Sequence, residues 1–265
     1  MTTQLPDPGF RATLASEWTK FASQRSTRLT LVLGTVLGIG STALVGWAVL
    51  ATWHEWSAED RAAFNPVETS LVGAILTGTL FAVLGVTAVS AEYSSRMATL
   101  TFTATPRRER VLLAKVVLVA AVTFVATLVA VAGMVLVGRL MFAGHDLPAA
   151  DAGRIARVVL GVAANAPMFP VIGVALAFVL RSAAGSVAAL LGLVFGPLVL
   201  APFLPQWWAD HGQRYLPGNA ADALTLPRFA DSPEQLGTAA AALVVAAWLA
   251  AFLGLALLVL NRRDV

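Results

Sequence analysis

The sequence predicts an all-α integral membrane protein: six transmembrane helices preceded by an N-terminal amphipathic interfacial helix. Three observations carry that prediction. Of 265 residues, 58% are hydrophobic and 12% charged, whereas a soluble domain has about 25% charged residues. Six hydrophobic runs follow one another, each long enough for the ~20 residues a helix needs to cross a hydrocarbon core. None alternates polar with apolar residues as barrel strands do. The third observation is the sorting of charge between the runs.

Residues 1–28 read as a cytoplasmic elbow helix. They contain no apolar core with a small-residue cleavage pattern, so no signal peptide is expected. Asp7-Pro8 offers an N-cap followed by proline at the first helical position. Phe10, Leu14, Trp18 and Phe21 then recur at steps of four, four and three, which is one helical stripe. Arg11, Glu17 and Lys20 fall off that stripe. Aromatics on one face and charges on the other suit a helix lying among lipid headgroups. The same pattern also suits a helix packed on the protein's own cytoplasmic side.

Residues 29–265 read as one transmembrane domain without internal repeats. Its runs are 29–52, 69–90, 111–137, 155–180, 185–203 and 238–260. With the N-terminus inside, twelve basic and five acidic residues fall on the inner side, net +7. Six basic and ten acidic residues fall on the outer side, net −4. Both termini are therefore expected in the cytoplasm of a multi-pass inner (plasma) membrane protein. The longest outer loop, 204–236, holds Trp207, Trp208, Tyr215 and four prolines. It is expected to form an ordered cap or to re-enter the interface, with the tryptophan pair as an interfacial anchor.

Several chemistries are excluded. No phosphate-loop motif occurs, so the chain is not expected to hydrolyse ATP itself. There is no cysteine, and His54, His145 and His211 fall on three separate outer loops, so neither disulfides nor a metal site is expected. No Asp, Glu or His sits in the middle of a span, which argues against a proton-coupled carrier. Two spans are interrupted: the fourth by Asn165, Pro167 and Pro170, the fifth by Gly196-Pro197 and Pro202. Proline frees an upstream carbonyl, so Asn165, Pro167 and Pro170 are candidates for a substrate path, with plain helix packing as the alternative. Gly34-x-x-x-Gly38 and Gly192-x-x-x-Gly196 permit close helix contact.

The stretch 91–110 is the most informative. Arg96, Arg107, Arg108 and Arg110 alternate with apolar Tyr93, Met97, Leu100 and Phe102, as a docking surface would require. Thr105-Pro106 looks like the start of the third span. Arginines in a first helical turn are disfavoured by roughly 0.3–1 kcal/mol each. Anionic headgroups offer about 1 kcal/mol per residue in return. Residues 92–103 fit a short helix, and 99–103 alternate well enough for a strand; the helix is favoured.

Glu92-Tyr93, followed by Pro106-Arg107-Arg108 and Ala114-Lys115, resembles the cytoplasmic loop of type-2 ABC exporter permeases, particularly small actinobacterial ones. Glu17-Trp18-x-Lys20-Phe21-x-Ser23-x-Arg25-Ser26-Thr27 is similar to that family's elbow helix. Leu216-Pro217-Gly218-Asn219-Ala220 is similar to part of its last outer loop, and Arg262-Arg263-Asp264-Val265 to its C-terminus. Arg96 stands where the family pattern has glycine. The resemblance implies a half-size permease subunit that pairs with a second copy or a sister permease. Such a subunit would have no cofactor and no catalytic residue of its own. It would dock a dimer of separate ATPase subunits, which bind ATP and Mg, and would export an amphipathic substrate such as a drug, peptide antibiotic or lipid. No nucleic-acid partner is expected. ATPase coupling would fall to Glu92, Tyr93, Arg96, Met97, Leu100, Phe102, Pro106, Arg107 and Arg108. Phe10, Leu14, Glu17, Trp18, Lys20 and Phe21 would brace the interface. The rival expectation is a non-transporting scaffold or sensor that docks a cytoplasmic partner through the same loop. A membrane-embedded enzyme lacks the clustered side chains it would need.

Overall fold

The computed structural model describes residues 9–94, 107–144, 152–225 and 236–262. Among them there is helix and no strand. Helix α1 (Phe10–Ser23) begins at an N-cap Gly9, whose carbonyl accepts from Ala12 and Thr13. That start is later than Asp7-Pro8 suggests, and both of those residues lie outside the described ones. One extended residue, Gln24, separates α1 from α2 (Arg25–Thr52).

A short far-end loop follows, with α3 (Ala58–Ala63) capped by Ser57 and α4 (Pro66–Ser70) capped by Asn65. Helices α5 (Ala74–Ser94) and α6 (Arg108–Phe142) come next. The fourth span is broken, as its prolines predict, into α7 (Ala152–Asn165) and α8 (Met168–Leu180). Helix α9 (Ala183–Leu200) continues through Pro197. After it come α10 (Pro217–Thr225) and α11 (Thr238–Arg262). Six stretches among the described residues are long and apolar enough to cross a membrane, from Arg25–Glu55 to Thr238–Arg262. The protein is an all-α, multi-pass membrane protein.

α5 and α8 form the centre and pack along each other. α2 and α6 flank them on one side, α9 and α11 on the other. The inner stripe of α2 is made of small residues: Thr27, Gly34, Gly38, Thr42 and Gly46 are buried, while Leu29, Val32, Val36 and Leu44 face outward. That inversion is what lipid permits, because close backbone approach and hydrogen bonds, rather than hydrophobicity, hold such helices together. Thr77 Oγ1 donates to the Gly34 carbonyl at 2.8 Å, and Thr42 Oγ1 to the Ser70 carbonyl at 2.9 Å. Gly34-x-x-x-Gly38 is thus used within the chain: Gly38 meets Gly73 backbone to backbone, and a Cβ on Gly34 would lie 2.7 Å from the Phe81 ring. Gly192 and Gly196 meet nothing comparable among the described residues.

At the far end α10 packs between α7 and α11, with Ala220 and Ala223 buried. The Trp248 indole donates to the Tyr215 carbonyl at 2.9 Å. This part of 204–236 is an ordered cap, while residues 226–235 lie outside the described ones. Trp207 and Trp208 meet edge to face, and Trp207 is exposed.

Candidate functional site

The opposite end of the bundle gathers α1, the end of α5, the start of α6 and the end of α11. Thr13, Glu17 and Phe21, four residues apart in turn, form the buried face of α1. Phe10 and Trp18 are 40% and 53% exposed. The expectation set the aromatic stripe on one face and Glu17 on the other; in the structure Glu17 shares the buried face with Phe21, while Phe10 and Trp18 point outward. The reason is Lys115, in the second turn of α6, whose side chain is 4% exposed. A buried ammonium without a counter-charge costs several kcal/mol. Leaving Phe10 and Trp18 exposed costs less where lipid rather than water would cover them.

Lys115 Nζ donates to Glu17 Oε2 at 2.6 Å, Glu92 Oε1 at 2.8 Å and the Ala88 carbonyl at 3.1 Å. These contacts use all three ammonium protons. Lys20 Nζ donates to Glu17 Oε1 at 2.6 Å and to Glu92 Oε1 at 3.0 Å. Two lysines and two glutamates from three helices therefore meet in one quartet of ion pairs. The void it encloses is about 10 Å³, room for a single water at most. The cluster is a structural contact and not a ligand pocket. Burial pulls the Lys20 ammonium down, but hydrogen bonding and attraction from Glu17 and Glu92 outweigh it, and its pKa is raised. A raised lysine pKa stabilises the fold below the ordinary value of about 10.4 and is lost only as pH rises through the raised one. The Lys20 charge is therefore constant across neutral pH.

Beside Glu92, Tyr93 meets Phe178 of α8 edge to face at 6.4 Å. The Arg181 guanidinium lies 5.7 Å from the Tyr93 ring centre, within cation–π range. Arg181 closes α8 in the left-handed region (φ 51°, ψ 21°), a position more often held by glycine. Arg108 donates to the Leu260 carbonyl at 2.8 Å. A first-turn arginine that the α6 dipole disfavours thus caps a free carbonyl at the end of α11.

The exit of α5 is consequently held by α1, α6 and α8 before the chain enters 95–106. Of the predicted coupling residues, the structure brings Glu92, Tyr93 and Arg108 to this end, with Arg107 at the N-cap of α6. Arg96, Met97, Leu100, Phe102 and Pro106 lie outside the described residues, as does Thr105. Of the predicted bracing residues, Glu17, Lys20 and Phe21 face the bundle and Leu14 packs against its core. Asn165, Pro167 and Pro170 sit at the break in the fourth span. The Asn165 amide donates to the Gly161 carbonyl and, at 2.8 Å, to Thr225 Oγ1 of α10. Pro170 is buried against Gly85 of α5. Among the described residues, no group of three or more side chains could hold a metal ion.

Sequence reasoning missed Lys115 as a site residue. Its signal was present: an ionisable residue inside an otherwise apolar run calls for a named partner. A scan against protein-family models finds no match to the chain, and a search of curated proteins finds none either.

Proposed function

We propose that the chain is the membrane-spanning permease subunit of an ATP-driven ABC exporter. It would pair with a second copy or a sister permease above a separate ATPase dimer that holds ATP and Mg, and move an amphipathic substrate outward. One observation carries the reading beyond sequence resemblance. The polar segment 95–106 emerges from a helix end bonded at once to α1, α6 and α8 through Glu92 and Tyr93. A displacement of that segment is therefore delivered to three helices together, as coupling to a moving partner requires. Residues 91–110 would face the ATPase, with both termini on the same cytoplasmic side. Reporter fusions after Arg28, Ser95, Arg181 and Val265 should report inside, and fusions near Ala62, Ala149 and Gln213 outside. A non-cytoplasmic signal at Ser95 would overturn that orientation.

The central experiment is to look beside this chain's gene for an ATPase with a phosphate-loop motif and to test its co-purification with the chain, followed by a screen for amphipathic ligands that stimulate ATP hydrolysis. Leu100→Asp and Phe102→Asp should leave the chain inserted while weakening association by about 2 kcal/mol or more, the usual cost of losing an apolar anchor. Stimulated hydrolysis should disappear with it. Unchanged association and stimulation in both variants would remove the coupling role from this segment.

A further inference from the structure

The quartet consists of two ion pairs, one from each side of the contact. Glu17 and Lys20 are three residues apart on α1 and pair at 2.6 Å. Glu92 and Lys115 belong to the bundle and pair at 2.8 Å. Docking shares partners across the contact, through Lys115 with Glu17 and Lys20 with Glu92. When a single ion pair spans a contact, separation leaves a bare buried charge on at least one side, at high cost. Here separation returns each carboxylate to an ammonium on its own side of the contact, Glu17 to Lys20 within α1 and Glu92 to Lys115 between α5 and α6.

Two further features fit a helix that comes off and returns. α1 joins α2 through Gln24, one extended residue (φ −74°, ψ 121°), with no continuous helix between them. Its outer face already carries exposed Phe10 and Trp18, so an undocked α1 keeps a place on the lipid surface. The Lys20 side chain, 21% exposed, is where water first enters the contact.

We infer that α1 docks reversibly and that Glu17 and Lys20 are positioning residues: docked, they hold the exit of α5 through Glu92 and Lys115; released, they free it. The link to coupling rests on the permease reading, whereas the docking itself does not.

The chain has no cysteine, so a single thiol can report on docking. Thr13 is 5% exposed on the buried face of α1; Thr13→Cys puts the reporter there, to be alkylated with a soluble maleimide in opened membranes. Ser16→Cys, at an exposed polar position of α1, should label fast, and Ala177→Cys, fully buried in α8, should stay unlabelled. The thiol at position 13 should label slowly but completely. Adding Glu17→Gln with Lys20→Gln should accelerate it about tenfold or more, the scale of losing charge-assisted bonds across a contact. Lys20→Met alone leaves Glu17 with Lys115 across the contact and without its ammonium on α1, so it should instead slow the labelling. With the ATPase present, the double variant should keep association and lose stimulated hydrolysis. Unchanged labelling at position 13 in both variants overturns the inference, even where an ATPase co-purifies. Equal labelling at positions 13 and 177 overturns it too, since that reports global opening. Accelerated labelling with no ATPase bound to any version supports the docking and removes the transport reading instead.

Discussion

Replacing Lys115 with methionine should remove most of the folded protein. The substitution keeps the length and apolar stem of the side chain and deletes only the charge. Glu17 and Glu92 would then lose the ammonium that bridges them, at a site where the two glutamate side chains are 3% and 9% exposed. Breaking a buried pair by removing one partner costs roughly 3–5 kcal/mol, a large share of the 5–15 kcal/mol that holds an ordinary domain. The amount of monodisperse protein extracted from membranes and its Tm in detergent are the measurements. Lys115→Met combined with Glu92→Gln deletes a whole pair and leaves Glu17 with Lys20, so it should recover much of the loss. Parental yield and Tm for Lys115→Met alone would show that the quartet does not hold α1, α5 and α6 together.

Gly85→Ala should have the second large effect. A Cβ at Gly85 would strike the Pro170 carbonyl oxygen and come within 2.7–2.8 Å of its carbonyl carbon and Cα. Those atoms are backbone and cannot turn aside as a side chain could, so α5 and α8 would have to part at the centre of the bundle. Overpacking of this kind typically costs about 1–3 kcal/mol, sometimes more, and the upper end is expected here. Gly78→Ala on the same helix is the control, because a Cβ there meets nothing. It should be neutral or stabilising by up to about 1 kcal/mol, the difference in helix propensity. Equal Tm values for the two variants would contradict the close crossing.

The spans were legible because membrane thickness dictates their length, and the break at Ala166–Pro167 was legible because proline carries its own steric signal. The face that α1 presents to the bundle was not. In water an aromatic stripe marks the buried side; beside lipid Phe10 and Trp18 gain as much by pointing outward, so hydrophobicity no longer distinguishes in from out. Small residues mark it instead, as Gly34 and Gly38 do on α2. Glu17 and Lys115 find each other across 98 residues, a separation no local period encodes. Only the isolation of Lys115 within an apolar run pointed toward a partner. Asn165 was picked out as polar in mid-span, but its bond to Thr225 depends on how α10 folds back, which the proline-rich loop does not spell out.

That separation of 98 residues also bears on how the chain is made. Synthesis proceeds at about 5–20 residues per second, so by the same rate α1 is complete roughly 5–20 s before Lys115 emerges. Through that interval the future counter-charge of Lys115 already exists without it. Glu17 has Lys20 beside it from the outset and need not seek a stray cation in the translocation machinery or among newly made neighbours. When the third span arrives, Lys115 enters the bilayer with an acceptor waiting at its edge, and the nascent bundle closes at its first-made end.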